Sequence, residues 1–321
     1  MLPIAVDAMG GDRAPDDIIV GALDAARAGL PVVLVGPEGL SGIGDLPLIV
    51  ASEVIGMDED AASGVRRKKD STLVRAAEAV RDGTASAMIS AGNTGATMAS
   101  ALLKMGRVSG VKRPAIATPI PVPGGRPTVL LDAGANSEVH AEWLVQFALM
   151  GSVYSRYRYG VAEPRVGLLS IGEEPGKGDS LRKEAYELLT RATGLNFIGN
   201  VEGRDVMTDD VDVVVTDGFT GNVVLKTLEG GMKTLVRALI AAFGSRDEYK
   251  PHADALFPAL TPLYDSVDPD STGGAVLLGV DGVCVISHGS SSSRAMVNGI
   301  KVAADMVECD MVGHIRRAIN P

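Results

Sequence analysis

Cysteine is nearly absent from this chain: Cys284 and Cys309 are the only two among 321 residues. They form no Cys-x-x-Cys pair and have no matching histidine pair, which excludes a disulfide scaffold and a structural zinc site and fits a reducing cytoplasm. Positive charge is also short. Thirty Lys and Arg face forty Asp and Glu, a formal net charge of −10, so a broad nucleic-acid-binding surface is excluded and only a local basic patch remains. No run of eighteen apolar residues occurs, and Met1-Leu2-Pro3-Ile4-Ala5-Val6-Asp7 has neither a basic n-region nor a cleavable apolar segment, so neither a membrane span nor a classical secretory signal is expected. Internal repeats and low-complexity tracts are missing as well.

What the chain does have is alternation. Short β-branched runs at 4–6, 32–35, 48–50, 87–89, 115–117, 128–131, 166–171, 212–215 and 283–286 alternate with helical patterns, the first from about Pro15 to Ala28. This predicts an α/β protein, three-layer α/β/α with a mainly parallel sheet, and the continuous apolar character of most runs predicts burial on both faces. With 46% apolar residues the chain can build a sizeable core, and a single two-lobed domain over 1–321 is expected. Thr118 through Gly125, with three prolines, reads as a stiff connection.

Five of the runs, ending at 89, 131, 171, 215 and 286, open into loops of Gly, Asn, Ser, Thr and Asp before a helix begins. Such an exit aims free backbone N–H groups and the positive end of a helix dipole into the loop, while glycine allows close approach; this is a way to hold an anion, most often phosphate. In an open α/β sheet ligands bind beyond the carboxyl ends of strands, so the five loops are expected to converge on one site.

The individual loops suggest chemistry. Ser90-Ala91-Gly92-Asn93-Thr94-Gly95 and Asp217-Gly218-Phe219-Thr220-Gly221-Asn222 are the barest anion cradles. Gly172 through Ser180 places Lys177 between Gly176 and Gly178, the best-placed cation of the chain on sequence grounds, competing with an exposed turn carrying a solvated lysine. A Walker loop needs four residues between its glycines and Ser or Thr after Lys, and this loop has neither, so an ATP-hydrolysing P-loop is not expected; no Gly-x-Gly-x-x-Gly follows a strand, which weakens a dinucleotide site. Asp132 closes a buried strand and therefore needs partners, whether structural or functional. Asn136 and Ser137 are candidate helix caps, and His140 reads as packing or surface. His288 precedes Gly289 and four serines, a loop rich in donors, with structural and proton-shuttling readings both open. No Gly-x-Ser-x-Gly elbow surrounds these serines, so a serine hydrolase is not supported. Arg66, Arg67, Lys68 and Lys69 form the densest positive run, either a solvated helix start or a dock for an acidic partner.

Residues 225–243 place Leu225, Leu228, Met232, Leu235, Val236, Leu239, Ile240 and Phe243 at helical spacing, and Leu256, Phe257, Leu260, Leu263 and Tyr264 follow. Core packing, a subunit interface and a peripheral membrane tip over about 229–272 compete here. Six acids against Arg246 and Lys250 in 245–271 disfavour attraction to anionic lipid.

Taken in order, Val6 through Asp12, Ser90 through Ala96, Leu131 through Asn136, Gly172 through Gly178, Gly199 through Asp205, Asp217 through Glu229 and His288 through Ser291 resemble bacterial phosphate acyltransferases, the acyl-carrier-protein:phosphate transacylases of phospholipid synthesis. Any one of these motifs is weak, but the ordered set spans nearly the whole chain. The resemblance implies a fold akin to phosphotransacetylases and isocitrate-dehydrogenase-like enzymes and a homodimer. It implies transfer of a fatty acyl group from acyl carrier protein (ACP) to inorganic phosphate, giving acyl phosphate, with no cofactor and no metal. It further implies a cytoplasmic protein in peripheral contact with the inner face of the membrane, working beside a downstream glycerol-3-phosphate acyltransferase. Many relatives are rich in lysine at the corresponding tip, where this chain has Ala255-Leu256-Phe257-Pro258 and acids, so attachment would be largely hydrophobic.

On that reading Asn93, Thr94, Gly95, Gly218, Thr220 and Asn222 contact phosphate or the oxyanion, with Asn136, Gly176, Gly178 and Asp217 among the substrate-binding set. Lys177 neutralises charge, supported by Lys226 and His288, while Asp132 and Asp217 orient the cations. Arg66 through Lys69 would dock acidic ACP. The rivals are a phosphotransacetylase-like enzyme acting on acyl-CoA, a nicotinamide-dependent decarboxylating dehydrogenase, for which no metal-binding carboxylate cluster is evident, and a non-catalytic acyl-phosphate-binding membrane scaffold.

Overall fold

The computed structural model describes residues 1–320; the side chains of residues 262, 263, 266, 267 and 269 lie outside the description, Leu263 of the helical pattern among them. Eleven strands form one sheet: β1 (Ile4–Asp7), β2 (Val32–Gly36), β3 (Leu48–Val50), β4 (Ala87–Ser90), β5 (Ala115–Ile120), β6 (Thr128–Leu131), β7 (Arg165–Leu169), β8 (Asn196–Val201), β9 (Val213–Val215), β10 (Ala275–Leu278) and β11 (Val283–Ile286). Their spatial order is β3-β2-β1-β4-β11-β10-β5-β6-β9-β7-β8. The helices are α1 (Asp16–Arg27), α2 (Ala61–Arg67), α3 (Thr72–Arg81), α4 (Thr94–Lys104), α5 (Ala141–Tyr159), α6 (Ser180–Arg191), α7 (Gly218–Phe243), α8 (Lys250–Val267), α9 (Pro269–Thr272), α10 (Ser293–Glu308) and α11 (Met311–Ile319).

Successive strand residues point to opposite faces, and each face has its own core. Ile4 and Val6 of β1 pack with Ile18, Leu144, Met296 and Ile315 from α1, α5, α10 and α11, whereas Ala5 and Met88 pack with Leu73 and Ala96 from α3 and α4. The sheet is thus the middle of three layers. Every residue of β1, β2, β4, β6, β9 and β11 is buried, as continuous apolar runs require.

The sheet departs from an all-parallel plan at its centre. β1 pairs in parallel with β2 and β4, and β4 with β11; on the other side β6 pairs in parallel with β9, and β7 with β9 and β8. Between these halves stand three antiparallel ladders, β11 with β10, β10 with β5 and β5 with β6. An odd number of reversals makes the two parallel halves run in opposite directions. Register then decides where their carboxyl ends meet. Ile286, ending β11, faces Ala275; Leu131, ending β6, faces Ala117, which is itself opposite Val276. The two strand ends lie one register step apart, so the halves present their exits to each other rather than along one common edge. The supposed connection from Thr118 is instead, as far as Ile120, the end of β5.

Candidate functional site

Four of the strand exits end in a side chain that caps the following helix. Asn93 accepts from the Ala96 N–H at 3.0 Å for α4, Asp179 from Arg182 at 2.8 Å for α6, Asp217 from Thr220 at 2.8 Å for α7, and Ser292 from Ala295 at 3.3 Å for α10. A cap satisfies one of the free N–H groups of the first turn and leaves others directed outward. The exit after β6 differs: α5 begins only at Ala141, His140 stands before it without a capping bond, and neither Asn136 nor Ser137 caps it. His140 packs edge-on against Trp143, the ring centroids 4.7 Å apart.

Around the exits of β1, β4 and β11 the loops are stitched together. Asp7 accepts the Ser90 hydroxyl at 2.7 Å and the Met9 N–H at 3.1 Å; the Ser90 Oγ accepts the Gly92 N–H at 2.9 Å, and Asp12 donates its N–H to the Gly289 carbonyl at 2.7 Å. Burial pushes the Asp7 carboxyl up, against the lowering effect of its hydrogen bonds. Only glycine fits at position 10, because a Cβ there would stand 2.5 Å from the Asp7 carboxylate and 2.7 Å from the Gly92 nitrogen.

The exits of β6 and β9 form a second seam. Asp132, fully buried, accepts five donors: the backbone N–H groups of Ile116, Gly134, Ala135 and Asn136 and the Asn136 side-chain amide, at 2.8–3.1 Å. Desolvation raises its pKa and these bonds oppose that rise. Gly218 donates its N–H to the Asn136 carbonyl at 2.7 Å, and a Cβ there would come within 2.8 Å of the Asn136 backbone. Asp217 is paired with Arg182, whose guanidinium also reaches the Thr216 and Thr220 hydroxyls at 3.2 and 3.1 Å. Burial would raise Asp217, but the two bonds from Thr220 and the charge of Arg182 hold it below the usual carboxylate value.

Between the seams lies a cleft of about 390 Å³. Gly92 and Thr94 enter it from the β4 exit, Ala133 from the β6 exit, Asn222 and Lys226 from α7, and Ser287 to Gly289 with Ser291 from the β11 exit. Thr118 of β5 also lines it, and its hydroxyl is buried without a partner among the described residues, an orphan that a bound polar group would satisfy. Lys226 is the lysine of this cleft, 2.9 Å from Glu229, and the remaining carboxylates on its walls are Asp12 and Asp270. The His288 ring nitrogen Nδ1 lies 2.8 Å from the Ser290 hydroxyl.

The placement of the sequence candidates is uneven. Thr94, Asn222, Lys226 and His288 line the cleft, and Gly95 adjoins it in the first turn of α4. Asn93 instead staples a loop, its amide donating to the Met57 and Glu59 carbonyls at 3.0 and 3.1 Å; Asn136 is held by Asp132 and by the Pro114 carbonyl at 2.8 Å. Lys177, with Gly176 and Gly178, is not among the residues lining the cleft; its ammonium lies 4.0 Å from Glu174 in an exposed turn. Asp132 and Asp217, expected to orient the cations Lys177, Lys226 and His288, instead hold the amides of the β6 exit and Arg182. Lys68 is folded against Glu59 and the Val54 carbonyl, leaving Arg66, Arg67 and Lys69 as the exposed part of the basic run. Arg182, Thr118 and Asp7 were missed by sequence reading. Arg182 follows Asp179 by three positions at a helix start, a visible spacing, whereas nothing local marks Thr118.

Among the described residues no group of three or more His, Cys, Asp or Glu is arranged to hold a metal ion, and no helix is long and apolar enough to cross a membrane. Both cysteines are free, and burial pushes the Cys284 thiol up to about 12.

Residues 2–313 match the model of a family described as Fatty acid synthesis protein. The phosphate acyltransferase of Elusimicrobium minutum (strain Pei191) is 46% identical over 333 residues, spanning 98% of this chain and 95% of its own length. Among solved structures, a phosphotransacetylase from Streptococcus pyogenes is similar with a TM-score of 0.64 at 16% identity, over 96% of this chain and 94% of that one. A 4-hydroxythreonine-4-phosphate dehydrogenase from Klebsiella pneumoniae follows at 0.53 and 14% identity, over 96% and 100%. At such identities the structural likeness concerns the fold alone: a three-layer α/β/α fold shared with phosphotransacetylases.

Proposed function

Because the chain belongs to the phosphate acyltransferase family, we propose that it moves a fatty acyl group from acyl-ACP to inorganic phosphate, supplying acyl phosphate for phosphatidic acid synthesis. The observation that carries the reading is the cleft itself, where the first turn of α4, the Ser- and Gly-rich β11 exit and Lys226 come together. In it the N–H groups of Thr94 and Gly95, with Asn222, Ser287 and His288, would take phosphate, and Lys226 would offset its charge.

A phosphate oxygen attacks the thioester carbonyl carbon and forms the new C–O bond. The carbonyl electron pair moves onto oxygen, then returns as the C–S bond breaks, and the thiolate leaves and takes up a proton. A thiol of pKa about 8.5 needs little acid assistance as a leaving group. The protein's contribution is orientation and charge stabilisation, for which holding both substrates together accounts for much of the rate.

Around this core we place ACP on Arg66, Arg67 and Lys69, a homodimer, and a cytoplasmic location with peripheral hydrophobic contact at the membrane beside a glycerol-3-phosphate acyltransferase. The likeness to a phosphotransacetylase supports a second reading, in which acyl-CoA is the donor. Purified protein with long-chain acyl-ACP and phosphate should form acyl phosphate that hydroxylamine traps as the hydroxamate, faster than with acyl-CoA. A preference for acyl-CoA moves the assignment to the second reading. No product from either donor, with an active control, leaves a non-catalytic scaffold.

A further inference from the structure

Resting on the transacylase reading, we infer that the acyl chain lies in a groove between α7 and α8 that starts at the cleft and sets chain-length preference. Three cavities run end to end along α7. Glu229 lines both the cleft and a second cavity of about 330 Å³; Val236, Ile240 and Tyr264 line both the second and a third of about 270 Å³, which Phe243 and Phe257 close. Glu229, Met232, Val236, Ile240 and Phe243 recur at helical three- and four-residue spacing, so one face of α7 forms the floor throughout. Phe243 and Phe257 meet edge-on with centroids 6.1 Å apart, a wall at the far end.

The dimensions suit one occupant. From Glu229 to Phe243 the helix rises about 21 Å. A bilayer's hydrocarbon core, two chains deep, is about 30 Å, so one long acyl chain needs about 15 Å. The reacting carbonyl would stay beside Lys226 while the tail lies along Met232, Val236 and Ile240. A bilayer is the weaker occupant, since the six acids of 245–271 oppose an anionic surface. Lys233 and Arg237 line the middle cavity together with Glu229 and Asp268, whose carboxylates pair with Lys226 and Arg294; neither Lys233 nor Arg237 has an ion-pair partner among the described residues. They suit the outer edge of a groove that holds an apolar chain below them.

Each buried methylene is worth about fourfold in affinity. In the wild type, kcat/KM should therefore climb steeply from 4-carbon to 16-carbon acyl donors. Val236→Trp and Ile240→Trp should each cut the ratio of long- to short-chain kcat/KM by tenfold or more, whereas Leu235→Trp, the same bulk at a position of α7 that lines none of the three cavities, should keep it. A flat chain-length profile in the wild type, or an equal loss from Leu235→Trp, overturns the groove. A 16-carbon fatty acid with a photoreactive ω-end gives a readout independent of folding in the variants and of turnover. On the wild-type protein its label should map to 236–264; label confined elsewhere, or groove residues protected at all chain lengths by a second copy of the chain, overturns it. If acyl phosphate never forms yet the label maps to the groove, the reaction assignment fails and the groove stands.

Discussion

Lys177 and Lys226 are equally exposed, each with half of its side chain accessible, yet their surroundings differ. Lys226 lines the cleft together with Thr94 of the first turn of α4 and has a carboxylate partner 2.9 Å away; Lys177 lies outside the cleft beside Glu174. A cation aimed at developing charge in a partly dehydrated cleft is worth far more than one in water. Lys226→Ala should therefore lower kcat/KM about 100-fold in the hydroxylamine assay, and Lys177→Ala by less than about threefold. Equal losses would return Lys177 to the reacting centre. Sequence reading favoured Lys177 because glycines flank it, a local signal, while the claim of Lys226 depends on where α7 lies. The same holds for Thr118: its orphan hydroxyl exists only because β5 is central and the cleft opens above it.

Helices and loops were legible to different degrees. The exits after β4, β9 and β11 could be found because glycine, a small capping residue and an apolar run are local properties. β8 escaped notice because Asn196, Gly199 and Asn200 interrupt its apolar pattern, and β10 because Ala275-Val276-Leu277-Leu278 is short and follows two glycines. Overlooking β10 has a large effect, since it supplies two of the three antiparallel ladders and so fixes the relative direction of the halves. The meeting of the β6 and β9 exits could not be read either, although its trace is Gly221, where a Cβ would sit on the Asp132 carbonyl oxygen. Gly230 lies on the same helix, and a methyl group added there would meet nothing within 4 Å. Gly221→Ala should cost about 3 kcal/mol through overpacking, and Gly230→Ala should add about 0.5–1 kcal/mol by removing glycine's excess unfolded-state freedom. Urea midpoints at a common slope would measure both; opposite signs are expected, and equal shifts would mean that the seam is not tight.

At the scale of the whole molecule, a chain with net charge −10 repels an acidic carrier unless it presents a local exception. Arg66, Arg67 and Lys69 make one: they are exposed and have no carboxylate within ion-pair distance among the described residues, whereas Lys68 is tied to Glu59. Their position relates them to the cleft. Ala61, which starts α2, abuts Gly95 in the first turn of α4, where a Cβ would stand 2.9 Å from the Ala61 methyl. Arg66 and Arg67 therefore lie roughly 8–9 Å along α2 from Ala61, the residue that abuts the first turn of α4. A carrier docked there would be held mainly by exposed charges, so its binding should be fast, weak and sensitive to salt. The triple variant Arg66→Glu, Arg67→Glu and Lys69→Glu should raise KM for acyl-ACP about tenfold at low ionic strength, with the difference from wild type shrinking toward 1 M salt, where screening acts within about 3 Å. Turnover of a small acyl thioester without a protein carrier provides the contrast, because it needs the cleft but not the dock. A triple variant whose KM for acyl-ACP matched wild type at low salt would place the carrier elsewhere on the surface. Loss of activity toward both donors would instead show that α2 supports the first turn of α4 through packing alone.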